Sequence, residues 1–576
     1  MSPKKFQKST IRNKQEKKQP LKTDEYLKFA SLGGLEEVGR NMMFFEYKDE
    51  IVVIDAGLQF PEEDTPGVDY IIPNISYLES KKENIQALFL THAHYDHIGA
   101  VPYIIEKIGN PTIYTTQLTK AIIEKRQEEF PNAPKLDIEV VKDGDKVEIS
   151  RYFSAEIFSV EHNVPDSFGI ILTTPIGNIC HIPDFKFDYD ENGKPRNLNV
   201  FENVGKKNIH TLSLDSTNAE VPGYSVSERV VEKNIEDILK KAKGRIVIAM
   251  FASLLTRIAE IIKIAERQKR YVAISGSSMK NNILIAQNLG YLKIKEENLI
   301  PIQGIHKYKD NQLLILSTGA QGEPNASLMK IINGEHKYIK IKPGDTVIFS
   351  ASVVPGNERA VQILKDNLAR QGANVYQSNI IDFHSSGHAP QEELKQVIQM
   401  IHPKFFLPTH GYYFMRYKNA EIAQEVGVPQ KNIILVDNGQ VVLLAKDNFF
   451  ISKENIPAYY VMVDGLGVGD VEEVVIRDRK ALSQEGMVVI IVTLDRKSGN
   501  LLKNPDIISR GFIYLKESKK FVEELRNKIK TTVTRIPYYQ PIEADYLKYL
   551  IREQISQFLY NRTKRRPVVI PVVIEV

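Results

Sequence analysis

Short apolar runs that stop at turn residues alternate with apolar stripes of helical spacing along most of the chain. Met42–Tyr47 and Ile51–Asp55 read as strands, the second halted by Ala56-Gly57. Ala87–Leu90 is a four-residue apolar run, the length of a buried strand. Ile98, Val101, Ile104 and Ile105 then recur at helical spacing, so the polar cluster between them lies on a strand-to-helix loop. Beyond residue 222 the rhythm changes. Ser225 with Glu228 reads as a capping box, and Val231, Ile235, Ile238 and Leu239 form one stripe stopped by Gly244. A strand at Ile246–Phe251, a helix opened by Thr256 and a strand at Tyr271–Ile274 imply a parallel βαβ layer that continues through Leu313–Leu316 and Thr346–Ser350. Histidine-rich loops return near Ile380. A helix carrying Leu394, Val397, Ile398 and Ile401 follows His388, and the strand Phe405–Leu407 runs into Pro408-Thr-His-Gly411. Lys453 to Pro457 reads as a linker. Beyond it, β-rich runs (Val488–Val492, Val568–Val573) alternate with helical ones (Phe521–Ile529, Tyr546–Phe558).

A chain of 576 residues suggests three or four folding units. With 42% hydrophobic and 26% charged residues, wholesale disorder, collagen and coiled coil are excluded. The formal charge of +4 is concentrated at the start, where the first 24 residues hold eight basic and two acidic side chains. Bulk charge therefore gives no argument for a nucleic-acid partner. The basic stretch Lys4–Lys22 is expected to be a solvated extension, with contact to RNA or ribosome as the lesser reading. The single cysteine, Cys180, excludes an internal disulfide and a multi-cysteine metal cluster. No apolar run spans a bilayer, and no apolar segment follows the basic start as in a secretory signal. A soluble, cytoplasmic protein without a membrane partner is expected.

The chemistry concentrates in Thr91-His92-Ala93-His94-Tyr95-Asp96-His97. In a tight loop, His92 and His94 can converge on one cation while Asp96 and His97 turn toward a second. Imidazole and carboxylate donors suit zinc and similar ions. A loop of satisfied histidines is the ordinary alternative, but histidines rarely crowd this densely. His162, Asp184 and His410 are further candidates, each on a loop after an apolar run; alone, each would more often be structural.

His92-x-His94-x-Asp96-His97 with His162, Asp184 and His410 resembles the motif series of metallo-β-lactamase hydrolases. Asp215 in Asp215-Ser-Thr-Asn-Ala-Glu220, His388 in His384-Ser-Ser-Gly-His388 and His410 in Pro408-Thr-His-Gly411 resemble motifs A, B and C of β-CASP nucleases. Thr318–Pro324, Pro355–Glu358, Val463–Asp470, Ser509–Phe512 and Arg565–Pro567 narrow the resemblance to the bacterial ribonuclease J family, from about Leu27 to Val576. The implied fold is α/β: a metallo-β-lactamase αββα sandwich, an inserted β-CASP α/β domain and a small C-terminal α/β domain. The expected boundaries are a basic tail at 1–24, the sandwich at 25–222 and 371–450, the insertion at 223–370, a linker at 451–460 and a dimerisation domain at 461–576. Tyr95, Asn163, Pro183, Tyr412 and Ser277 depart from common family residues without removing a metal ligand.

The resemblance implies a ribonuclease with two divalent ions, zinc first and manganese as the alternative. His92, His94 and His162 would hold one ion and Asp96, His97 and His410 the other, with Asp184 bridging. Asp96, His388 and Asp215 would be the catalytic side chains. A 5′-phosphate would meet the loop His384, Ser385, Ser386, Gly387 and His388, readable also as an anion nest or a plain helix cap. Ala252, Ser253 and Leu254 would face it from the insertion. The implied substrate is single-stranded RNA with a 5′-monophosphate, degraded 5′→3′ and also cut internally, in mRNA decay and rRNA maturation. The implied assembly is a homodimer or homotetramer, with a degradation complex or ribosome as a further partner. Asp69 and Asp464 lie where some relatives bind a structural calcium, although two carboxylates alone favour solvated loop acids. The competing readings are a catalytically weak RNA-binding subunit and a β-CASP nuclease acting on DNA.

Overall fold

The computed structural model describes residues 26–576 except 62–64, 191–192, 324, 355, 378–382, 466, 470–472, 497, 499, 514–518 and 535–543. The basic tail therefore lies outside the described residues, as do Pro324, Pro355, Leu466 and Asp470 of the motifs quoted above. The chain forms two compact units: Met1–Gly57 with Pro73–Tyr459, and Leu58–Ile72 with Tyr460–Val576.

The first unit contains a two-sheet sandwich. One sheet orders its strands Phe449–Asn455, Gln440–Leu444, Leu27–Gly33, Met42–Tyr47, Glu50–Ile54, Ile85–Phe89, Ile113–Thr115 and Ile138–Val140. The other runs Phe405–Thr409, Ile209–Asp215, Gly177–Ile182, Phe168–Thr174, Ser154–Ser159 and Lys146–Glu148. Both sheets recruit strands from beyond residue 400, so the sandwich is split in sequence. Phe29, Phe45, Val52 and Phe89 of the first sheet share one core with Ile157, Phe168, Ile170 and Phe405 of the second. The outer face of the second sheet is covered by Leu394, Val397 and Ile398 from helix Gln391–Ile401 and by Ala420 and Ala423 from helix Tyr413–Glu425. Alternate residues of each strand thus point into one apolar layer or the other.

Between residues 228 and 377 lies a third sheet. Its six strands are all parallel, in the order Leu299–Ile300, Tyr271–Ser275, Leu313–Ser317, Ile246–Ala249, Thr346–Phe349 and Asn374–Gln377. Crossover helices such as Leu255–Arg267 and Glu358–Arg370 join them, as parallel pairing requires.

In the second unit, strand Met487–Leu494 lies between Asp506–Arg510 and Val568–Glu575. Helices Lys519–Thr534 and Ala544–Thr563 bury Leu525, Ile529, Ile551 and Ile555 against it.

Three expectations change. Ser225 and Glu228 do not form a capping box: helix Glu228–Lys241 starts without a side-chain cap, Ser225 bonds Glu393, and Glu228 is drawn to Arg257 and Lys186. Charge pairing inside the fold outweighs a cap of about 1 kcal/mol. The expected linker at 451–460 is strand to Asn455, because Gln440 and Val442 pair with Asn455 and Ile451. Leu58–Ile72, expected in the sandwich, belongs to the second unit, where Tyr70–Ile72 pairs with Val461–Val463. Among the described residues no helix is long and apolar enough to cross a membrane.

Candidate metal centre

Six strands of the sandwich deliver polar side chains at or just beyond their C-terminal ends. Asp55 follows Glu50–Ile54, His92 to His97 follow Ile85–Phe89, and His162 follows Ser154–Ser159. Asp184 follows Gly177–Ile182, Asp215 ends Ile209–Asp215, and His410 follows Phe405–Thr409. Strand ends are where side chains leave the ladder, so the split topology gathers residues that lie more than 300 positions apart.

Two groups converge. His92 Nε2 lies 3.2 Å from His94 Nδ1, which lies 3.1 Å from His162 Nε2. Tetrahedral zinc with nitrogens at 2.0–2.1 Å sets its donors about 3.3 Å apart. In the second group, His97 Nε2 is 3.6 Å from Asp96 Oδ2, and His410 Nε2 is 3.5 Å from the same oxygen. Asp184 divides itself between them. Its Oδ2 lies 3.6 Å from His92 and 3.8 Å from His162, while its Oδ1 lies 3.3 Å from His97 Nε2 and 3.0 Å from His410 Nδ1. Both groups, and a third of Asp184, Asp215, His388 and His410, have donor atoms within 4.8 Å of one another. Asp184 Oδ1 and His410 Nε2 are buried without a hydrogen-bond partner. Orphaned buried polar atoms are costly, and a cation would satisfy both, so the donors present fit a pair of divalent ions.

The surroundings fix each ring. Asp55 Oδ2 sits 2.7 Å from His97 Nδ1, while the carboxylate also accepts from the Thr91 amide and hydroxyl. The Gly387 carbonyl accepts from His162 Nδ1 at 2.7 Å, which turns the Nε2 lone pair inward. His94 Nε2 meets Ser253 Oγ at 3.0 Å. His388 Nδ1 lies 2.8 Å from Asp215 Oδ2, and Asp215 Oδ1 accepts from Thr217. Such partners set tautomer and orientation.

Electrostatics separate the groups. Burial, reinforced by positive neighbours, holds His92 below its ordinary value, His94 at about 3 and His162 far below, which favours the neutral imidazole, the form able to bind a metal ion. Burial also opposes charge on His97 and His410, yet Asp184 and the other carboxylates outweigh it, raising His97 to about 10 and His410 well above its usual value. Burial works against Asp96 and Asp184 too, but the neighbouring histidines pull both well down. Asp215 is pulled down to about 2, burial being overcome by His388. His388 is raised in turn, burial being outweighed by Asp215 and Asp184. A divalent ion in the second group would displace imidazolium protons.

Other expected site residues are less open. His384 is buried, its Nδ1 2.8 Å from Arg257 Nη1. Ser385 is fully buried and accepts from Lys186 Nζ at 2.8 Å, while Ser386 accepts from Asn218. Gly387 is buried too, so Ser386 and His388 are the half-buried members of that loop. An open anion nest is thus not what this loop presents. Ala252 and Ser253 are half-buried and Leu254 is buried. Asp464 gives its carboxylate to Arg479 Nη2 at 2.5 Å, and Asp69 Oδ2 accepts from the Gly465 amide at 2.8 Å. Among the described residues neither belongs to a cluster of three or more acidic or histidine donors.

Comparison with known proteins decides the family. The chain is 35% identical over 558 residues to "Ribonuclease J2" of Bacillus subtilis, covering 96% of this chain and 100% of that one. It is 36% identical over 554 residues to "Ribonuclease J 1" of Streptococcus pyogenes, covering 96% and 98%. The chain belongs to the ribonuclease J family. Its parts match the metallo-beta-lactamase superfamily (35–182), the ribonuclease J beta-CASP domain (243–368), the Zn-dependent metallo-hydrolase RNA specificity domain (372–434) and the ribonuclease J C-terminal domain (474–576). A crystal structure of a protein of unknown function from Enterococcus faecalis shares the fold, with a TM-score of 0.53 at 18% identity, over 73% of this chain and 100% of that one. The enzyme class is that of a metal-dependent ribonuclease.

The residues read from the sequence as departures are not among the grouped donors. Tyr95 opens the short helix Tyr95–Ile98 and lies under the Arg126 guanidinium, 4.8 Å away. Tyr412 immediately precedes helix Tyr413–Glu425 without a side-chain cap bond, and Ser277 is exposed at the start of helix Ser277–Asn288. Sequence reasoning missed Asp55, Thr217 and the trio Lys186, Glu228 and Arg257. The signal for Asp55 was a carboxylate closing a buried strand; its φ of 62° is a conformation Asp tolerates better than most residues.

Proposed function

We propose that this chain is a two-metal ribonuclease that degrades single-stranded RNA 5′→3′ from a monophosphorylated end and also cuts internally, serving mRNA decay and rRNA maturation in the cytoplasm. Zinc is the first choice of ion, held by His92, His94 and His162 on one side and Asp96, His97 and His410 on the other. The observation that carries this reading is Asp184, a buried carboxylate with one oxygen toward each group. A carboxylate so placed could serve one ion on each side, should both groups be loaded. The bound ions would lower the pKa of water and neutralise charge on the phosphate.

The chain's own residues do the rest. Asp96, the more open carboxylate with a side chain 30% exposed, can orient the attacking water and accept its proton. His388, half-buried and with its pKa raised because Asp215 and Asp184 outweigh burial, can hydrogen-bond the departing 3′-oxygen and hand it a proton. Asp215 holds that ring at Nδ1, leaving Nε2 for the substrate. Ser253, bonded to His94, brings the inserted layer to the metal centre, where the loops 252–254 and 384–388 would close on the RNA end. The C-terminal unit would pair copies into a homodimer or homotetramer.

The test is a time course on end-labelled RNA bearing a 5′-monophosphate or 5′-triphosphate, beside matched DNA, with metal analysis of the same sample. Early mononucleotides from monophosphorylated RNA, with about two ions per chain, are expected. Mononucleotides from DNA alone would overturn the reading in favour of a DNA nuclease. Metal-loaded protein that binds RNA without cutting it would favour the weak partner subunit, against which the full donor set speaks.

A further inference from the structure

Two buried cations and a half-buried carboxylate outside the metal centre are paired where the inserted layer meets the sandwich. Lys186, two residues beyond Asp184, donates to Glu228 Oε1 at 2.7 Å and to Ser385 Oγ at 2.8 Å. Arg257 donates to both Glu228 oxygens from Nη2, at 2.8 and 2.9 Å, and to Oε2 from Nε at 3.0 Å. The same guanidinium meets His384 Nδ1 at 2.8 Å and donates to the Ser385 carbonyl at 3.2 Å. Side-chain exposures are 3% for Lys186, 2% for Arg257 and 20% for Glu228. Burying charge is unfavourable unless every member is paired and hydrogen-bonded, and here every member is. Two cations hold Glu228 down to about 2 against the effect of burial, so its charge persists throughout the physiological range.

The cluster joins four segments, three of which lead directly to the metal centre. Lys186 extends from the Asp184 loop. Ser385 and His384 lie two and three residues before Gly387, whose carbonyl fixes His162. Arg257 sits one helical turn beyond Ser253 and Leu254, and Ser253 meets His94. Glu228 is the first residue of the helix that opens the inserted layer. Lys186, Glu228 and Arg257 also line, with His162, Asn163 and Leu254, a cleft at this seam. None of the three side chains is among the grouped metal donors, so the cluster acts on the reaction through the loops it holds.

We propose that Glu228, with Arg257 and Lys186, forms a buried ionic clamp that sets the height of the loops 252–254 and 384–388 above the metal centre, making these three positioning residues for RNA. The inference rests on the RNA-cleaving reading above and deepens it. The clamp governs how well a polynucleotide is seated; His97 and His410 are held apart from it by Asp55 and Thr217, while His162 and His94 meet the two loops through the Gly387 carbonyl and Ser253 Oγ, so the variants are compared at saturating metal. Its removal therefore impairs RNA far more than a small diester that needs no loop.

The experiment uses the full chain loaded with zinc or manganese, in the wild-type, Glu228→Gln and Arg257→Lys forms. Glu228→Gln keeps the shape and loses the charge; Arg257→Lys keeps the charge and loses the planar fork. Cleavage of 5′-monophosphorylated RNA, by kcat and KM, is compared with hydrolysis of bis(p-nitrophenyl) phosphate, with metal content and melting temperature measured alongside. Loop misplacement of about 1 Å costs on the order of a hundredfold, so RNA cleavage should fall roughly ten- to hundredfold in both variants, mainly in kcat. At saturating metal, loss on the small diester should be smaller by about tenfold or more. Equal losses on both substrates, or undiminished RNA cleavage in a folded variant, overturn the clamp. If Glu228→Gln does not fold, Arg257→Lys decides alone. A wild type that cuts RNA only internally contradicts the end-first reading but not the clamp, because the ratio of RNA to diester rates still reports on it.

Discussion

Replacing Gly387 by alanine should disable the metal centre without touching a donor. A Cβ at this position would lie 2.5 Å from His162 Cε1, 2.8 Å from Asn163 Nδ2 and 3.0 Å from His162 Nδ1. Ordinary carbon contacts begin near 3.5 Å, so the imidazole must retreat by about 1 Å. The obstacle is spatial: Gly387 does not adopt the left-handed backbone conformation that favours glycine. The ring cannot retreat freely, because its Nδ1 is bonded to the Gly387 carbonyl at 2.7 Å and its Nε2 sits 3.1 Å from His94 Nδ1. Metal sites tolerate about 0.2 Å in donor distance, so a shift of about 1 Å is several times too large. Loss of an orienting partner alone weakens metal binding by about ten- to a hundredfold, and misplacement by about 1 Å slows catalysis by about a hundredfold. The assay is metal content after dialysis against a graded chelator, followed by RNA cleavage at saturating metal. Gly304→Ala is the control, since its Cβ would meet nothing within 4 Å. A Gly387→Ala protein that keeps wild-type metal affinity and cleaves RNA within about twofold would refute the claim that the loop 384–388 sets the His162 ring.

Asp55→Asn should weaken metal binding at the His97 side by about ten- to a hundredfold, because Asp55 fixes His97 Nδ1 at 2.7 Å; competitive chelation with stepwise metal release reads this out. Asp215→Asn should lower kcat by about a hundredfold or more with little change in KM, as expected when a general acid loses its partner, and the effect should fade on substrates with a better leaving group than a ribose oxygen. Acid should loosen the clamp. Glu228 is lowered from 4.5 to about 2, so its stabilisation is complete above pH 4.5 and is lost as pH falls through 2. The shift corresponds to an upper figure of roughly 3 kcal/mol. Urea midpoints of the wild type should therefore fall more steeply across that window than those of Glu228→Gln, and parallel slopes would contradict the pairing.

What could be read from the sequence was what chemistry forces to be type-specific. Metal ions accept few side chains, and four of them within His92–His97 announce a site whatever the fold. The distant donors His162, Asp184 and His410 carried little information until the motif series was set beside them, because a lone histidine after an apolar run is usually structural. The parallel layer between residues 246 and 349 was legible for a similar reason: buried parallel strands are short unbroken apolar runs, and Ile246–Ala249, Leu313–Ser317 and Thr346–Phe349 are of that kind. The strand that carries Phe449–Asn455 was not legible, since its outer residues are exposed and its partner Gln440–Leu444 supplies the ladder.

Positioning residues escape for a deeper reason. Asp55 works on His97 across 42 positions. Glu228 reads locally as the end of a capping box with Ser225, yet its carboxylate serves Lys186, 42 positions earlier, and Arg257, 29 positions later. Any acid near any base would look the same in the string, and most such pairs are solvated and contribute little. What distinguishes these is burial, and burial belongs to the packed sheets rather than to the residues. A substitution that preserves every metal donor can therefore still disarm the enzyme, and Lys186, Glu228 and Arg257 are where this structure exposes it to that risk.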